Sequence, residues 1–249
     1  MKKTLVILCN YNMKSHVDIM YESLKPYEGN TYDVHILDNN SDTDKRSEYT
    51  TIQLDENIYY GGAFRYAVQI VLENEDIYDS LIFSVGTLSL IGNNWVNALR
   101  DTMFSNENIG IVSPSIIAHG KTQNAWKPML NWGLSTPRKV RWVDFQSPML
   151  NISLLKEIGE YPDFGIAYGY DVYTGIMAEK LGYSSYVLDY VYAVHQQKET
   201  VKSGNASITL SDYGKIALNG MYVGFDNIGM ISELNDMRSW ANAYYPTEL

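Results

Sequence analysis

The first 115 or so residues alternate short apolar runs with helical patterns, and this alternation restricts the chain to few folds. The β-rich runs are TLVILC, DVHILD, TTIQLD, SLIFSV and NIGIVSPS, and the helical patterns are SHVDIMYESL, GGAFRYAVQIVLEN and NNWVNALRDTMF. Parallel strands need a connection that crosses the sheet, usually through a helix. The alternation therefore predicts an α/β fold with a mixed, mostly parallel sheet and helices on both faces.

The alternation stops near residue 115, and the second half of the chain is less regular. An irregular stretch rich in Gly, Pro and Trp is followed by two helical patterns, ISLLKEIG and DVYTGIMAEKLG, and by the strand pattern SSYVLDYVYAVHQ. Both helical patterns end at a glycine, the usual residue after a helix C-terminus. The final stretch is helical in pattern. We predict one domain over residues 1–210 and a C-terminal helical appendage over residues 211–249.

The charge of the chain argues against two classes of partner. The 249 residues carry a formal net charge of −10, which opposes broad electrostatic binding to nucleic acid or anionic lipid. The single cysteine, Cys9, lies in an apolar run and suits a reducing compartment. No window approaches the roughly 18 apolar residues of a membrane span. We therefore expect a cytoplasmic protein without a transmembrane segment.

Polar residues follow three of the predicted strands. Because connections between parallel strands are right-handed, the carboxyl ends of those strands share the edge where ligands bind. Glycines at a helix start leave backbone N–H groups available to a phosphate, and an arginine one turn later can reach the same ligand. These features predict a nucleotide-diphosphate site formed by Asn10, Tyr11, Asn12, Asp38, Asn57, Gly61, Gly62 and Arg65. The alternative, favoured for any one of them alone, is that they close turns and cap helices.

Several stretches resemble a known family when taken in order. LVILCNYN, VHILDNNSDTD and ENIYYGGAFRYAV resemble the opening of the family 2 glycosyltransferases, with its strand ending in T-Y-N, its D-N-x-S-x-D and its N-x-G before a glycine-rich helix start. WVDFQSPMLNISLLKEIGEYPDFGIAYGYDVYTGIMAEKLGY is similar to the second half of the family, and VYAVHQ to its late strand. The resemblance covers about residues 4–198. It implies the GT-A fold, a Rossmann-like nucleotide-diphospho-sugar transferase domain.

The resemblance also implies roles for single residues. Asp171 matches the catalytic base of an inverting transfer, His195 a metal ligand, and Asp38 the acid that binds uracil or ribose. The remaining donor-side matches are Asn10, Tyr11 and Asn12 against the base, and Asn57, Gly61 and Gly62 beneath the nucleoside. The chain departs from the E-D motif, because Tyr170 replaces its first acid and Tyr173 replaces a later one. Asp171 is therefore the only carboxylate at that predicted helix start.

The surroundings of Asp171 fit a general base. Displacement at an anomeric carbon needs a carboxylate that accepts the proton of the attacking hydroxyl. Asp171 lies between Tyr170 and Val172, and partial desolvation there raises its basicity. The alternative is that Asp171 is only the N-cap of the helix that follows.

The stretch LIFSVGTLSL lacks an acid that the family usually carries. Members have D-x-D or a single late Asp after the fourth strand, which holds a divalent ion on the donor diphosphate. This chain has Gly86, Thr87, Leu88 and Ser89 there, and we assign Thr87 and Ser89 to the donor side. Mn²⁺ or Mg²⁺ is doubtful for this reason. Either the transfer is metal-independent, or a metal binds weakly through the diphosphate, His195 and water.

A metal-independent transfer needs positive side chains that stabilise the leaving diphosphate. Candidates lie in and near the basic run STPRKVR, and they are Lys121, Lys127, Arg138, Lys139 and Arg141. The alternative is that this run is a solvated loop.

Three tryptophans lie in the irregular middle of the chain, where GT-A enzymes commonly bind the acceptor. Aromatic faces stack on sugar rings, and we assign Trp126 and Trp142 to the acceptor side, with Trp132 as a third candidate. The alternative is that all three fill the core beneath long loops.

These observations lead to a hexosyl- or pentosyltransferase as the first hypothesis. The donor is a nucleotide-diphosphate sugar, and the acceptor is a hydroxyl of a glycan, a lipid-linked molecule, a protein or a modified nucleic acid. A second hypothesis is a catalytically inactive nucleotide-sugar-binding protein on the same fold. A nucleotidyltransferase ranks third, because CNYNMKSH is not the glycine-rich phosphate loop that such an enzyme needs.

Overall fold

The computed structural model describes residues 2–86, 88–91, 94–117, 125–195 and 210–246. In these residues nine strands form one sheet, in the order β3-β2-β1-β4-β8-β6-β9-β5 with β7 also paired to β9. The strands are β1 (Lys3–Asn10), β2 (Tyr32–Asp38), β3 (Thr50–Gln53), β4 (Tyr78–Val85), β5 (Leu88–Ile91), β6 (Ile109–Ile117), β7 (Arg138–Val140), β8 (Met149–Asn151) and β9 (Ser184–His195).

The pairing confirms the predicted fold class. β1 pairs in parallel with β2 and β4, β2 with β3, and β6 with β9. The short β8 runs antiparallel between β4 and β6, while β5 and β7 run antiparallel to β9. The carboxyl ends of β1, β2, β4 and β6 consequently lie at the same edge of the sheet, which we call the carboxyl edge.

Helices cover both faces of the sheet. They are α1 (Lys14–Leu24), α2 (Tyr59–Glu73), α3 (Trp95–Met103), α4 (Ile152–Ile158), α5 (Tyr170–Lys180), α6 (Leu210–Asn227) and α7 (Ile231–Ala243). The central strand β1 shows why both faces need cover, because Leu5 and Ile7 join one apolar cluster while Val6 and Leu8 join the other. Alternate side chains of a strand point to opposite faces. Burial of each of these four side chains stabilises the fold by about 1.5–3 kcal/mol.

The two C-terminal helices pack on the core of the preceding residues. Met221 and Phe225 of α6 belong to the apolar cluster that also contains α2 and α4 side chains, and Phe225 stacks on Phe164 with 4.7 Å between ring centroids. A Cβ added at Gly224 would lie 2.6 Å from the backbone oxygen of Asp163. α6 thus approaches the loop before α5 as closely as a glycine permits. The domain boundary at residue 210 stays a prediction.

Among the helices of the described residues, none combines the length and apolarity that crossing a bilayer requires.

Candidate functional site

Asp38 ties together the turns that follow β1 and β2. The parallel register places Asn10 beside Asp38, and Asn10 Nδ2 donates to the Asp38 carboxylate at 2.8 Å. Asp38 is fully buried and also accepts hydrogen bonds from the Ser41 N–H at 2.8 Å and from Gln53 Nε2 at 3.2 Å. The Arg46 guanidinium lies 3.6 Å from the same carboxylate. The carboxylate thus organises the edge, and its predicted contact with a nucleoside stays a prediction.

Asn12 differs from Asn10 because its amide nitrogen has no hydrogen-bond partner among the described residues. Asn10 is fully buried and both ends of its amide are engaged, since its Oδ1 also accepts from the Met13 N–H at 2.9 Å. Asn12 has a left-handed backbone, with φ of 59°, and is 5% exposed. Its Oδ1 accepts from the Asp42 N–H, but its buried Nδ2 has no hydrogen-bond partner. A buried, unpaired amide is costly unless a ligand completes it, which fits the donor-side role predicted for Asn12. Tyr11 is half-buried beside it.

The loop before α2 is fastened to the β2 turn. Asn39 accepts from the Ile58 N–H at 3.0 Å and donates to the Tyr59 carbonyl at 3.2 Å. Asn57 accepts from the Tyr59 N–H at 2.8 Å, and Tyr59 takes a φ of 56°. This strained conformation is unusual for a residue with a large side chain. The three polar clusters predicted to share one edge are therefore joined there by hydrogen bonds.

The two glycines of α2 serve packing. The Gly61 N–H donates to the Ile166 carbonyl at 3.0 Å, and a Cβ at Gly61 would meet the Tyr170 ring at 2.4 Å. Gly62 lies against Ile58, where a Cβ would approach to 2.8 Å. The Gly61 N–H is thus already hydrogen-bonded within the protein and is not available to a phosphate. Arg65 is exposed, with its guanidinium 6.0 Å from the centre of the Tyr170 ring.

Asp171 lies in the first turn of α5 but does not cap it. The helix begins at Tyr170, and its N-cap is Gly169 with φ of 105°. Trp142 Nε1 donates to the Asp171 carboxylate at 3.2 Å. Burial, followed by the negative charge of Asp144, raises the pKa of the Asp171 carboxyl to about 7, against the hydrogen bonds that favour its ionised form. Near neutral pH, a carboxyl with this pKa exchanges protons readily, as a general base must.

Asp144 is a site residue that the sequence did not indicate. After β7 the chain returns to the carboxyl edge, where the Val85 N–H at the end of β4 donates to the Gln146 carbonyl at 3.1 Å. Gln146 Nε2 in turn donates to the Asp144 carboxylate at 3.0 Å, and burial raises the pKa of Asp144. Asp144 and Asp171 form a carboxyl pair. The Tyr60 hydroxyl donates to the backbone next to Asp144, and burial and both carboxylates raise its pKa well above the usual value.

The first turn of α6 reaches the same edge. Burial raises the pKa of Tyr213 to about 12, and Tyr168, Tyr59 and Cys9 add to that rise. Burial and the Asp38 charge raise the pKa of the Cys9 thiol to about 12. The helical pattern near the C-terminus gave no sign that α6 would approach the ends of β1 and α2.

The stretch that lacks the acid is only partly described. Gly86 packs against the end of β1, where a Cβ would lie 3.0 Å from the Cys9 carbonyl oxygen. Thr87 lies outside the described residues, as do the side chains of Ser89 and His195. The register pairs Leu88 with His195, so the backbone of His195 adjoins this stretch.

The described side chains do not complete a metal site. Within residues 2–86, 88–91, 94–117, 125–195 and 210–246, no three His, Cys, Asp or Glu side chains gather as metal ligands. Asp144 and Asp171 alone would be two protein ligands, fewer than Mn²⁺ or Mg²⁺ takes without water and phosphate oxygens. The metal ligand predicted at His195 stays a prediction.

The basic run has other partners than a diphosphate. Arg138 is buried and donates to the Asp189 carboxylate at 2.9 Å, with further bonds to backbone carbonyls. Arg141 pairs with Glu179 and Asp236, each at 2.8 Å. Arg138 and Arg141 are therefore engaged within the protein and not available to a leaving group, whereas the other residues of the run are not tested by these contacts. The other candidates are Lys127 and Lys139, which are exposed, and Lys121, which lies outside the described residues.

Trp126 and Trp142 form an edge-to-face pair beside Asp171. Their ring centroids lie 5.1 Å apart. Trp142 is 1% exposed, so its ring face is not open to a sugar, and its polar contact is the N–H that it donates to Asp171. Trp126 is half-buried. Trp132 lies elsewhere, against the Tyr245 ring. A cavity of about 700 Å³ is also remote from the carboxyl edge, since Ser184 and Ser185 at the amino end of β9 line it together with Trp240 and Tyr244.

Comparison with known proteins identifies the fold. No protein-family model and no curated protein matches the chain. Glucosyl-3-phosphoglycerate synthase from Mycobacterium tuberculosis, solved with Mg²⁺ and uridine diphosphate, matches with a TM-score of 0.63 and 15% identity over 92% of this chain and 80% of that one. GalNAc-T7, solved with UDP, GalNAc and Mn²⁺, matches with a TM-score of 0.61 and 14% identity over 97% of this chain. The chain spans just over half of GalNAc-T7, 55%. The chain thus has the GT-A fold of these glycosyltransferases.

Proposed function

We propose that the protein is a glycosyltransferase that moves a sugar from a nucleotide-diphosphate sugar to an acceptor hydroxyl with inversion. The observation that carries this proposal is the Asp171 carboxyl, held by Trp142 beside Asp144 at the carboxyl edge, with a pKa of about 7. The GT-A fold supports the choice of donor, since both glycosyltransferases matched above were solved with uridine diphosphate.

The proposed reaction is a single displacement. Asp171 takes the proton of the acceptor hydroxyl while the oxygen of that hydroxyl attacks the anomeric carbon of the donor. The bond from that carbon to the diphosphate oxygen breaks, and the nucleoside diphosphate leaves with the bonding electrons. Asn12 Nδ2 is a buried donor at the carboxyl edge without a hydrogen-bond partner among the described residues, and it is available to the donor substrate. Asp144 keeps the Asp171 carboxyl basic through its charge. Hexoses and pentoses are both compatible with this chemistry.

A thermal-shift panel of nucleotide sugars tests donor binding, each measured with Mn²⁺ and with a chelator. A bound donor at free concentration c stabilises the folded protein by RT ln(1 + c/Kd), so the midpoint rises with the logarithm of donor concentration once that concentration exceeds Kd. Asp171→Asn is expected to keep that shift, because the base acts on the acceptor. If no nucleotide sugar raises the midpoint under either condition, the proposal fails. The chelator samples decide metal dependence.

A second candidate, an inactive nucleotide-sugar-binding protein, has one observation in its favour. The stretch from Gly86 to Ser89 has no carboxylate where related enzymes hold a metal. That candidate predicts donor binding with neither transfer nor hydrolysis.

A further inference from the structure

Arg238 of α7 lies near two aromatic rings and has no carboxylate partner among the residues that the structure describes. Its guanidinium carbon lies 5.2 Å from the centre of the Trp126 ring and 5.8 Å from that of Tyr222. Its remaining contact in the described part of the chain is Met221 Sδ at 4.0 Å. Rings on two sides orient a guanidinium without using its N–H groups as hydrogen-bond donors to oxygen. This is how an arginine is prepared to bind an oxyanion through two parallel hydrogen bonds.

The neighbouring charges of α7 are arranged differently. Glu233 pairs with Lys180 at 2.9 Å, and Asp236 pairs with Arg141 at 2.8 Å. Arg141 also lies over a ring, Trp240, at 5.8 Å, yet two carboxylates neutralise it. Arg238 and Arg141 thus both lie over aromatic rings near α7, and within the described part of the chain only Arg141 is paired with carboxylates. In a chain with net charge −10, leaving Arg238 unpaired marks it as a place for an external anion.

Arg238 adjoins the acceptor side of the candidate site. It covers the Trp126 ring, which lies edge-to-face with Trp142, and Trp142 donates to the proposed base Asp171. Trp126 therefore contacts both the Arg238 guanidinium and the Trp142 ring. A ligand group bound at Arg238 would belong to a molecule that also extends toward Asp171.

We propose that the acceptor carries an oxyanion, a phosphate or carboxylate group, which Arg238 binds. This proposal rests on the proposed function, because an acceptor exists only if the protein transfers a sugar. The binding of an anion at Arg238 can be tested without transfer. A charge-assisted hydrogen bond contributes about 1.5–3 kcal/mol. Losing it is expected to lower kcat/KM for an anionic acceptor by about 10- to 150-fold.

The binding test follows the arginine Nε–H signals by NMR during titration with inorganic phosphate and, separately, acetate. Signals are assigned by their loss in Arg238→Gln and in the matched control Arg141→Gln. We expect a saturable shift of the Arg238 signal and none of the Arg141 signal. No shift at Arg238, or equal shifts at both, overturns the proposal. Repeating the titration with uridine diphosphate bound separates two sources, because loss of the phosphate response would assign Arg238 to the donor diphosphate and contradict an acceptor site.

The transfer test compares sugar phosphates and uronates with the corresponding neutral sugars as acceptors. Arg238→Gln is expected to slow transfer to the anionic acceptors only, and Arg238→Lys to restore part of it, because lysine keeps the charge without the planar fork. Equal effects on anionic and neutral acceptors would contradict the proposal. If no acceptor reacts at all, the proposed function fails, and the NMR titration still decides whether Arg238 binds an oxyanion.

Discussion

Replacing Asp144 by Asn should make Asp171 ionise at lower pH. Burial is the larger cause of the raised pKa of Asp171, and the negative charge of Asp144 is the second. The substitution removes the charge and keeps the shape and the contact with Gln146. The pKa of Asp171 should therefore fall from about 7 without returning to the ordinary aspartate value of 3.8.

The size of the change follows from the charge pair. At an effective dielectric constant of about 20, two neighbouring unit charges repel by at most about 4 kcal/mol. Both carboxyls are part-exposed, and screening by water reduces this to about 1.4 kcal/mol, a tenfold change in the ionisation constant. At pH 6 the ionised fraction of Asp171 should then rise from about one tenth to about one half, and a base-limited rate should rise about fivefold.

The assay is carboxyl ¹³C NMR of aspartate-labelled protein over a pH titration, with the Asp171 signal assigned by its absence in Asp171→Asn. Trp142→Phe provides the opposite control. It removes the N–H that stabilises ionised Asp171, so the pKa of Asp171 should rise. Folding of each variant is checked by thermal unfolding. If Asp144→Asn leaves the titration unchanged, or if both variants move it in the same direction, the reasoning about the carboxyl pair is wrong.

Three further predictions concern stability and reactivity. Gly224→Ala should destabilise the fold by about 1–3 kcal/mol in urea unfolding, because its Cβ would meet backbone at 2.6 Å. Gly214→Ala in the same helix, with open space around it, should stabilise by about 0.5–1 kcal/mol; equal effects would contradict the packing of α6. Asp171→Asn should be more stable than the parent at pH 8 by about 1–2 kcal/mol. Because the pKa of Asp171 is raised in the folded state, the folded parent loses stability as pH rises from about 4 to 7. The stability advantage of Asp171→Asn should therefore grow over that range, and a shrinking advantage would refute this prediction. Cys9, with a pKa of about 12, should react with iodoacetamide at pH 8.5 about a thousandfold more slowly than a free thiol, and unfolding should abolish the difference.

The sheet was predictable because its signals are local. Buried parallel strands read as apolar runs and their crossover helices as periodic patterns, so β1, α1, β2, α2, β4, α3 and β6 follow directly from the sequence. The short β7 and β8 did not, since three-residue strands carry too little pattern. The sequence pattern also did not predict the close approach of α6 to the loop before α5. Glycines at positions 220 and 224 suggest a weak helix when their packing partner is unknown.

The shared position of the polar clusters was predictable because they follow strand ends. The hydrogen bonds between Asn10 and Asp38, and from Asn39 to the loop before α2, confirm that the polar clusters share one edge. Asp144 was not predictable, because its position depends on how the chain returns from β7 to β8. Arg238 was hidden for a similar reason, since α7 brings it to Trp126 from 112 residues away. Roles that depend on long-range packing have no local signature.

Transfer is separated from donor binding alone by the release of nucleoside diphosphate from the nucleotide sugar that stabilises the protein, measured with and without a mixture of sugar acceptors. We expect acceptor-dependent release by the parent protein and at least about a hundredfold less by Asp171→Asn. The exposed carboxylate Glu160 provides the control, and Glu160→Gln should release as much as the parent. Equal release by Asp171→Asn and the parent would show that Asp171 is not the general base of a transfer reaction.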